Sequence, residues 1–374
     1  MSEKSRPDFV PGLELSRRYY LEAVRPILDV KFPGLRYAAA RIGHGSEVLG
    51  YDDATSTDHH WGPQLQLFLR SEEIAHQRDA IDSALRMRLP NTFLGYSTNF
   101  SAPNPEDNGV RSQVAVDDGP INHMVSIWSA RGYFLDVLGY DVDASLEPSD
   151  WLTFPMQKLA ALTGGAVFHD DVGLGEVRHR LLFYPRDIWL YLMAAGWARI
   201  GQEEHLMGRA GSVGDEVGAG IIAARLVRDI MRLCFLMERR YAPYPKWFGT
   251  AFRELTCAQQ MLPELQCTLH ATTWQERERG LVPAYEALAR LHNALQITQP
   301  MPEKTVLFHG RPFQAMAIHG FADALLAEIS DSNVRAIAEL PLIGNIDLFS
   351  DNTDLLENPE FRPALRRLYS PTRL

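Results

Sequence analysis

At 374 residues the chain is too long for one compact core of usual size, so two domains are the expectation. A hydrophobic share of 46% with 22% charged residues is that of a soluble globular protein, and a net charge of −10 argues against nonspecific nucleic-acid binding, which rewards clustered Lys and Arg, while leaving a local basic cleft open. Cys234, Cys257 and Cys267 have no metal-ligand spacing and cannot all pair within one chain; with no signal-peptide core at the start and no run approaching ~18 apolar residues, the reading is a cytoplasmic protein with no membrane partner.

In chain order, residues 13 to 30 place Leu15, Tyr19, Val24 and Leu28 near helical spacing, with Pro26 set to kink or shorten the helix. Leu35 to Ile42 is an apolar run without Pro or Gly, which reads as a buried strand. A tight turn at Gly45-Ser46 follows, then a polar loop in which the adjacent Asp52 and Asp53 read as loop carboxylates. Period-two alternation in Gln64-Leu65-Gln66-Leu67 predicts a second strand with Asp58, His60, Gln64 and Gln66 on one face and His59 and Leu65 on the other. Ser71 with Glu72 and Glu73 opens a helix to about Leu89, stopped by Pro90. Residues 100 to 120 carry the densest turn chemistry and read as a mobile loop, either lying over a cleft or a plain excursion. Asn122 to Ser129 reads as a third strand, with a helix through Phe134 and Leu138 behind it.

Asp170 and Asp171 follow a short apolar run and are acidic candidates for the site or a simple polar turn. From Tyr184 long helices begin. Arg186 to Glu204 is apolar on nearly all sides, so it reads as a buried helix. The glycine-rich break at 211 to 220 ends with Asp215 and Glu216 where the next helix starts, and that helix, about Ile221 to Tyr241, aligns Arg225, Arg228 and Arg232 with Asp229 on one face. The arginine stripe has two readings: a solvated face balanced by Asp229, or guanidinium groups for a triphosphate or an acidic acceptor. Lys246 lies in the aromatic, proline-rich turn from Tyr241 to Trp247, suited either to flanking a nucleobase or to packing. Residues 342 to 354 are acidic and turn-rich, and no chemistry is assigned to them.

A Gly-Ser turn offers backbone N–H groups to anionic oxygens while a neighbouring strand holds metal ligands toward the same cleft, an arrangement that suits phosphate chemistry. Gly45-Ser46 followed by Asp58 resembles the nucleotidyltransferase superfamily signature, Gly-Ser and then Asp-x-Asp. More narrowly, GSEVLGYDDATSTDHHWGPQLQLFL, VFHDD, FYPRDIWLYLMAAGWARIGQEE and ARLVRDIMRLCFLMERRYAPYPKWFGTAF are similar to the DUF4037 family of nucleotidyltransferase-like bacterial proteins, so the resemblance spans most of the chain.

The resemblance implies an α/β (α+β) nucleotidyltransferase-like domain with a mixed sheet at residues 1 to 182, an all-helical accessory or substrate domain at 183 to 374, and a cleft between them. It implies Asp58 and His60 as metal ligands and, with Asp170, as catalytic groups, and Gly45, Ser46, Arg225, Arg228, Arg232 and Lys246 as nucleotide-binding residues. The cofactor is Mg²⁺ or Mn²⁺, with ATP or another nucleoside triphosphate as substrate. His60 stands where the superfamily carries a second carboxylate, which favours manganese over magnesium, and the third strand offers no carboxylate, only His123 or Ser126. The function expected is transfer of a nucleoside monophosphate, AMP from ATP, to a hydroxyl of a small molecule or protein. The alternative is a nucleotide- or partner-binding regulatory protein with a decayed metal site, and a further reading is a metal-dependent hydrolase using His44, Asp58, His59 and His60.

Overall fold

The computed structural model describes residues 8–107 and 109–370, and contacts divide the chain into two units: 1–145 with 158–182, and 146–157 with 183–374. The segment 146–157 thus goes with the helical unit rather than with its sequence neighbours.

The first unit is built on a four-stranded mixed sheet of order β5-β2-β1-β6. Helix α1 (Gly12–Tyr19) passes through a π-helical turn at Tyr20–Val24 into α2 (Arg25–Lys31), so Pro26 is accommodated by widening the preceding turn. Strand β1 (Ala38–Arg41) is central, and three consecutive, fully buried alanines let both neighbours lie against it. Strand β2 (Gln64–Leu69) runs antiparallel to β1, with Ala40 opposite Gln66, and leads through α3 (Ser71–Arg88) and a short hairpin, β3 (Thr92–Phe93) and β4 (Tyr96–Ser97), to β5 (Met124–Ser129). Strands β2 and β5 pair in parallel, so Leu65 and Leu67 meet Val125 and Ile127 and bury against Tyr19, Tyr20, Ile81 and Leu85. After α4 (Ala130–Leu138), the chain enters the other unit for α5 (Pro148–Thr153). It returns during α6 (Met156–Thr163), and β6 (Ala166–Asp170) then pairs antiparallel with β1, before α7 (Leu174–Arg180).

Strand β2 is shorter than its sequence pattern suggests. The alternation extended back to Asp58, but Gly62 (φ 141°) and Pro63 interrupt it, and residues 54–58 form a 3₁₀ turn. Asp58 and His60 therefore precede the strand instead of sharing its face. Residues 100–120 are tied down by bridges from Phe100 to Gln113 and from Asn104 to Val110.

The second unit packs α8 (Arg186–Gly211) on α9 (Glu216–Met237), with Gly196 under Leu233 allowing close approach. Asp215 caps α9 by accepting from the Gly218 N–H at 2.7 Å. Helices α10 (Pro245–Phe252), α11 (Ala258–His270) and α12 (Trp274–Ala294) follow, the last opened by a capping box of Thr273 and Glu276. Trp197 stacks on Phe321 at 4.1 Å in the core. No helix among the described residues is long and apolar enough to cross a membrane.

Segment 146–157 is held in this unit by buried charge. Asp150 accepts from Arg362 at 2.5 Å, the Arg362 guanidinium lies 4.4 Å from the Phe154 ring centroid, and Tyr369 donates to the Leu152 carbonyl. Truncation leaves the buried Asp150 carboxylate with only the part-exposed Arg366, at 3.3 Å, as its charge partner, so Arg362→Ala should cost about 2–4 kcal/mol in denaturant unfolding, whereas an exposed pair would cost under ~1 kcal/mol. Glu204 supplies a pH handle. Burial pushes its carboxyl up to about 7 against hydrogen bonds from the Met316 and Ala317 N–H groups. The folded state therefore holds a proton that the unfolded chain releases, a contribution complete below pH 4.5 and lost as pH rises through 7. Glu204→Gln should flatten the fall in Tm between pH 5 and 8 by the equivalent of roughly 1–3 kcal/mol.

Candidate functional site

The connection from β1 to β2 centres on a buried ion pair. Arg41, the last residue of β1, and Glu47 are 4% and 3% exposed. The Arg41 guanidinium donates to Glu47 Oε1 from Nη2 at 2.5 Å and from Nε at 3.0 Å, and also to the carbonyls of Ile42 and His44. Gln64, the first residue of β2, donates to the same Glu47 oxygen at 3.0 Å and to the His60 carbonyl at 2.9 Å. Gln66 exchanges two 3.1 Å bonds with the N–H and carbonyl of Ile42, continuing the ladder where β1 has ended.

This network sets the turn. Gly45 (φ 136°) lies so close to the pair that a Cβ there would sit 2.5 Å from Glu47 and 2.6 Å from Arg41. A Cβ at Gly43 (φ 80°) would strike the Tyr133 hydroxyl, which donates to the Ile42 carbonyl at 3.3 Å. Ser46 opens a helical turn in which its carbonyl accepts from Leu49 and Tyr51. Nearby, Asp52 accepts from the Gly12 N–H at the start of α1 and from Trp61 Nε1, and Asp53 caps the 3₁₀ turn. Both adjacent carboxylates are loop caps.

His60 adopts a left-handed backbone conformation (φ 47°) fixed at both ends: its N–H donates to the Arg111 carbonyl at 3.0 Å and its carbonyl accepts from Gln64. Burial, then the neighbouring His59, His44 and Arg111 charges, lower its pKa. Asp58 points to solvent, two-thirds exposed, and accepts from His59 Nδ1 at 2.9 Å. Slight burial works to raise its pKa, and the His59 bond and charge together with backbone N–H groups outweigh that and hold it below the ordinary carboxylate value.

Among the described residues no three His, Cys, Asp or Glu side chains come together as a metal-holding group, which removes the geometric basis for the hydrolase reading with His44, Asp58, His59 and His60. The first and third residues of β2, Gln64 and Gln66, carry neutral amides. On β5, the buried His123 accepts from the Val125 N–H.

Asp170 is turned to another task. Its two oxygens accept from the N–H groups of Val172, Gly173, Leu174 and Gly175 at 2.8–3.1 Å, capping α7. Burial favours its neutral form, and these four bonds overcome that and lower the pKa. Asp171 pairs with His169 at 2.8 Å.

In the helical unit the three arginines of α9 do share a face, and each finds a carboxylate. Arg225 bonds Glu203 at 2.6 Å, and Arg228 and Arg232 reach the two oxygens of Asp351 at 2.6 and 3.0 Å. Arg228 and Arg199 also flank the buried Asp229. Lys246 stands 4.9 Å over the Trp247 ring. Sequence reasoning passed over Arg41, Glu47 and Asp351; the one available clue was a charge of each sign bracketing the Gly-Ser turn.

The chain is thus an α/β protein, a mixed-sheet unit joined to a helical one. The family described as a domain of unknown function, DUF4037, matches residues 151–248, so the DUF4037 resemblance is shown over α5 through the start of α10. No curated protein matches. A nucleotidyltransferase-like protein from Exiguobacterium sibiricum 255-15 is structurally similar over 84% of this chain and 89% of its own, at 11% identity and a TM-score of 0.31, a level that assigns no residue a role.

The turn's dependence on glycine is open to measurement. Gly45→Ala should lower stability by about 2–4 kcal/mol in chemical denaturation, because the Cβ displaces a buried ion pair and the backbone is strained. Gly50, also at positive φ but with nothing within 4 Å of its Cβ, should lose only about 1 kcal/mol as Gly50→Ala.

Proposed function

We propose that this chain is a nucleotide-binding protein of nucleotidyltransferase-like build that takes up a nucleoside triphosphate at the Gly45-Ser46 turn and does not depend on a strand-borne metal pair. The observation that carries the reading is the pair of inward-bonded amides, Gln64 and Gln66, at the two β2 positions beside the turn. An amide nitrogen is a donor and cannot ligate a cation; both Gln64 N–H groups and both polar ends of Gln66 already serve the turn. The nearest carboxylate, Glu47, is neutralised by Arg41. Such a protein would act as a cytoplasmic regulator, reporting bound nucleotide to a partner.

A second reading is supported by the left-handed backbone at His60, two residues after Asp58: transfer of AMP from ATP to a hydroxyl of a small molecule or protein, with Asp58 and His60 as the residues that would hold Mg²⁺ or Mn²⁺. In it the acceptor oxygen bonds the α-phosphorus as the bond to pyrophosphate breaks, and the hydroxyl proton passes to solvent water.

Calorimetric titration with ATP in EDTA, Mg²⁺ and Mn²⁺, paired with a pyrophosphate-release assay, decides between them. The binding reading expects Kd to change by less than about threefold across the three conditions and no pyrophosphate above buffer, because no carboxylate pair couples cation to phosphates. Pyrophosphate release that requires Mn²⁺ and disappears in Asp58→Asn would establish the transferase reading. Failure of ATP to bind in any condition removes both.

A further inference from the structure

The helical unit holds a pocket of about 420 Å³ that belongs to neither reading. Its lining combines Arg199, Arg225 and Arg228 on α8 and α9 with apolar side chains that include Ile343 and Phe349, and with Asp351. Its volume falls in the range of small-molecule sites, and an apolar lining with a few convergent charges is their usual composition.

The arginines differ in how their charges are answered. Glu203 and Asp229, both buried, hold Arg199, Arg225 and one side of Arg228 from behind. On its outward side Arg228, together with Arg232, pairs with Asp351, whose side chain is 62% exposed and lies between the short helices at residues 346–349 and 353–357. Its two oxygens divide between the two guanidinium groups, Oδ2 to Arg228 and Oδ1 to Arg232. Arg232 does not itself line the pocket and is joined to it through Asp351; among the described residues its Nη1 is buried and lacks a hydrogen-bond partner. An exposed pair of this kind is cheap to open, whereas Arg228 is also held by the buried Asp229.

We infer that this pocket is a binding site for a small phosphate monoester carrying an apolar or planar body, and that Asp351 is an internal stand-in for its oxyanion. The phosphate replaces the Asp351 carboxylate across Arg228 and Arg232 and brings a third oxygen for the unanswered donor, which a carboxylate lacks. The body lies against Ile343 and Phe349. Asp351 thereby acts as a tethered competitor, so that occupancy and release of the 350–352 turn are one event. The inference does not rest on ATP binding by the first unit, and its failure leaves that result unaffected.

Calorimetry with phenyl phosphate, inorganic phosphate and benzoate, on wild type, Asp351→Asn and Arg228→Gln, tests it, with Tm recorded for each protein. Phenyl phosphate should bind wild type and bind Asp351→Asn about threefold to fivefold more tightly, the gain expected from removing an exposed competing pair. Arg228→Gln should weaken it by more than about tenfold, as loss of a charged hydrogen bond does. Inorganic phosphate and benzoate should each bind at least about tenfold more weakly, having lost the body or the third oxygen. Phenyl phosphate affinity that is unchanged or weaker in a folded Asp351→Asn overturns the stand-in role, and absence of binding to that variant overturns the site. Benzoate binding as tightly as phenyl phosphate overturns the phosphate assignment, and inorganic phosphate doing so overturns the role of the apolar lining. Because Arg228 also touches the buried Asp229, a lowered Tm in Arg228→Gln transfers the decision to Asp351→Asn.

Discussion

Everything at the mouth of the sheet unit depends on burying one guanidinium against one carboxylate. Two charges taken out of water repay that loss only where geometry is close and remaining donors are met. Arg41 meets these terms by using Nε and Nη2 on Glu47 and its other N–H groups on the carbonyls of Ile42 and His44. The carbonyls in turn fix the path from Ile42 to Gly45, and that path admits only glycine at position 45. A charge pair that would be optional on the surface becomes, when buried, the template for the loop around it.

The same accounting explains why glutamine rather than aspartate stands on β2. Gln66 faces a backbone N–H and a backbone carbonyl on one residue, which demands one acceptor and one donor from a single side chain. A carboxylate there would meet the Ile42 carbonyl with like polarity. Gln64 must donate to both Glu47 and the His60 carbonyl, which a carboxylate cannot do. The amides are matched to the turn's own needs, and this limits what the strand offers to a cation.

Local patterns carried the sequence reading where local physics decides. Ser71 with two glutamates marked α3, Asp215 marked the start of α9, and Gln64 to Leu69 announced a strand by period two. The family resemblance and the mixed α/β character were legible in the same way. Periodicity misled at Asp58 and His60, because Gly62 and Pro63 stop the strand and alternation carries no meaning across that break. Arg41 and Glu47 look like surface residues in any composition-based reading; only the fold shows them buried. Asp351 was out of reach because Arg228 lies 123 residues earlier and no short-range rule links them.

The path of the chain through its two units also governs the order in which they can be made. Helix α5 carries Trp151 and Leu152, with Phe154 just after it, and its partner Arg362 is 212 residues downstream of Asp150. On a ribosome this short apolar segment emerges well before Arg362, at ordinary elongation speeds by about 10–40 seconds. During that interval the sheet unit can close around residues 158–182, while 146–157 lacks that partner. Tyr184 and α8 reach Trp151 and α5 early, but the buried charge of Asp150 meets Arg362 only when the last residues arrive, so closure of this segment is expected as a late step of folding.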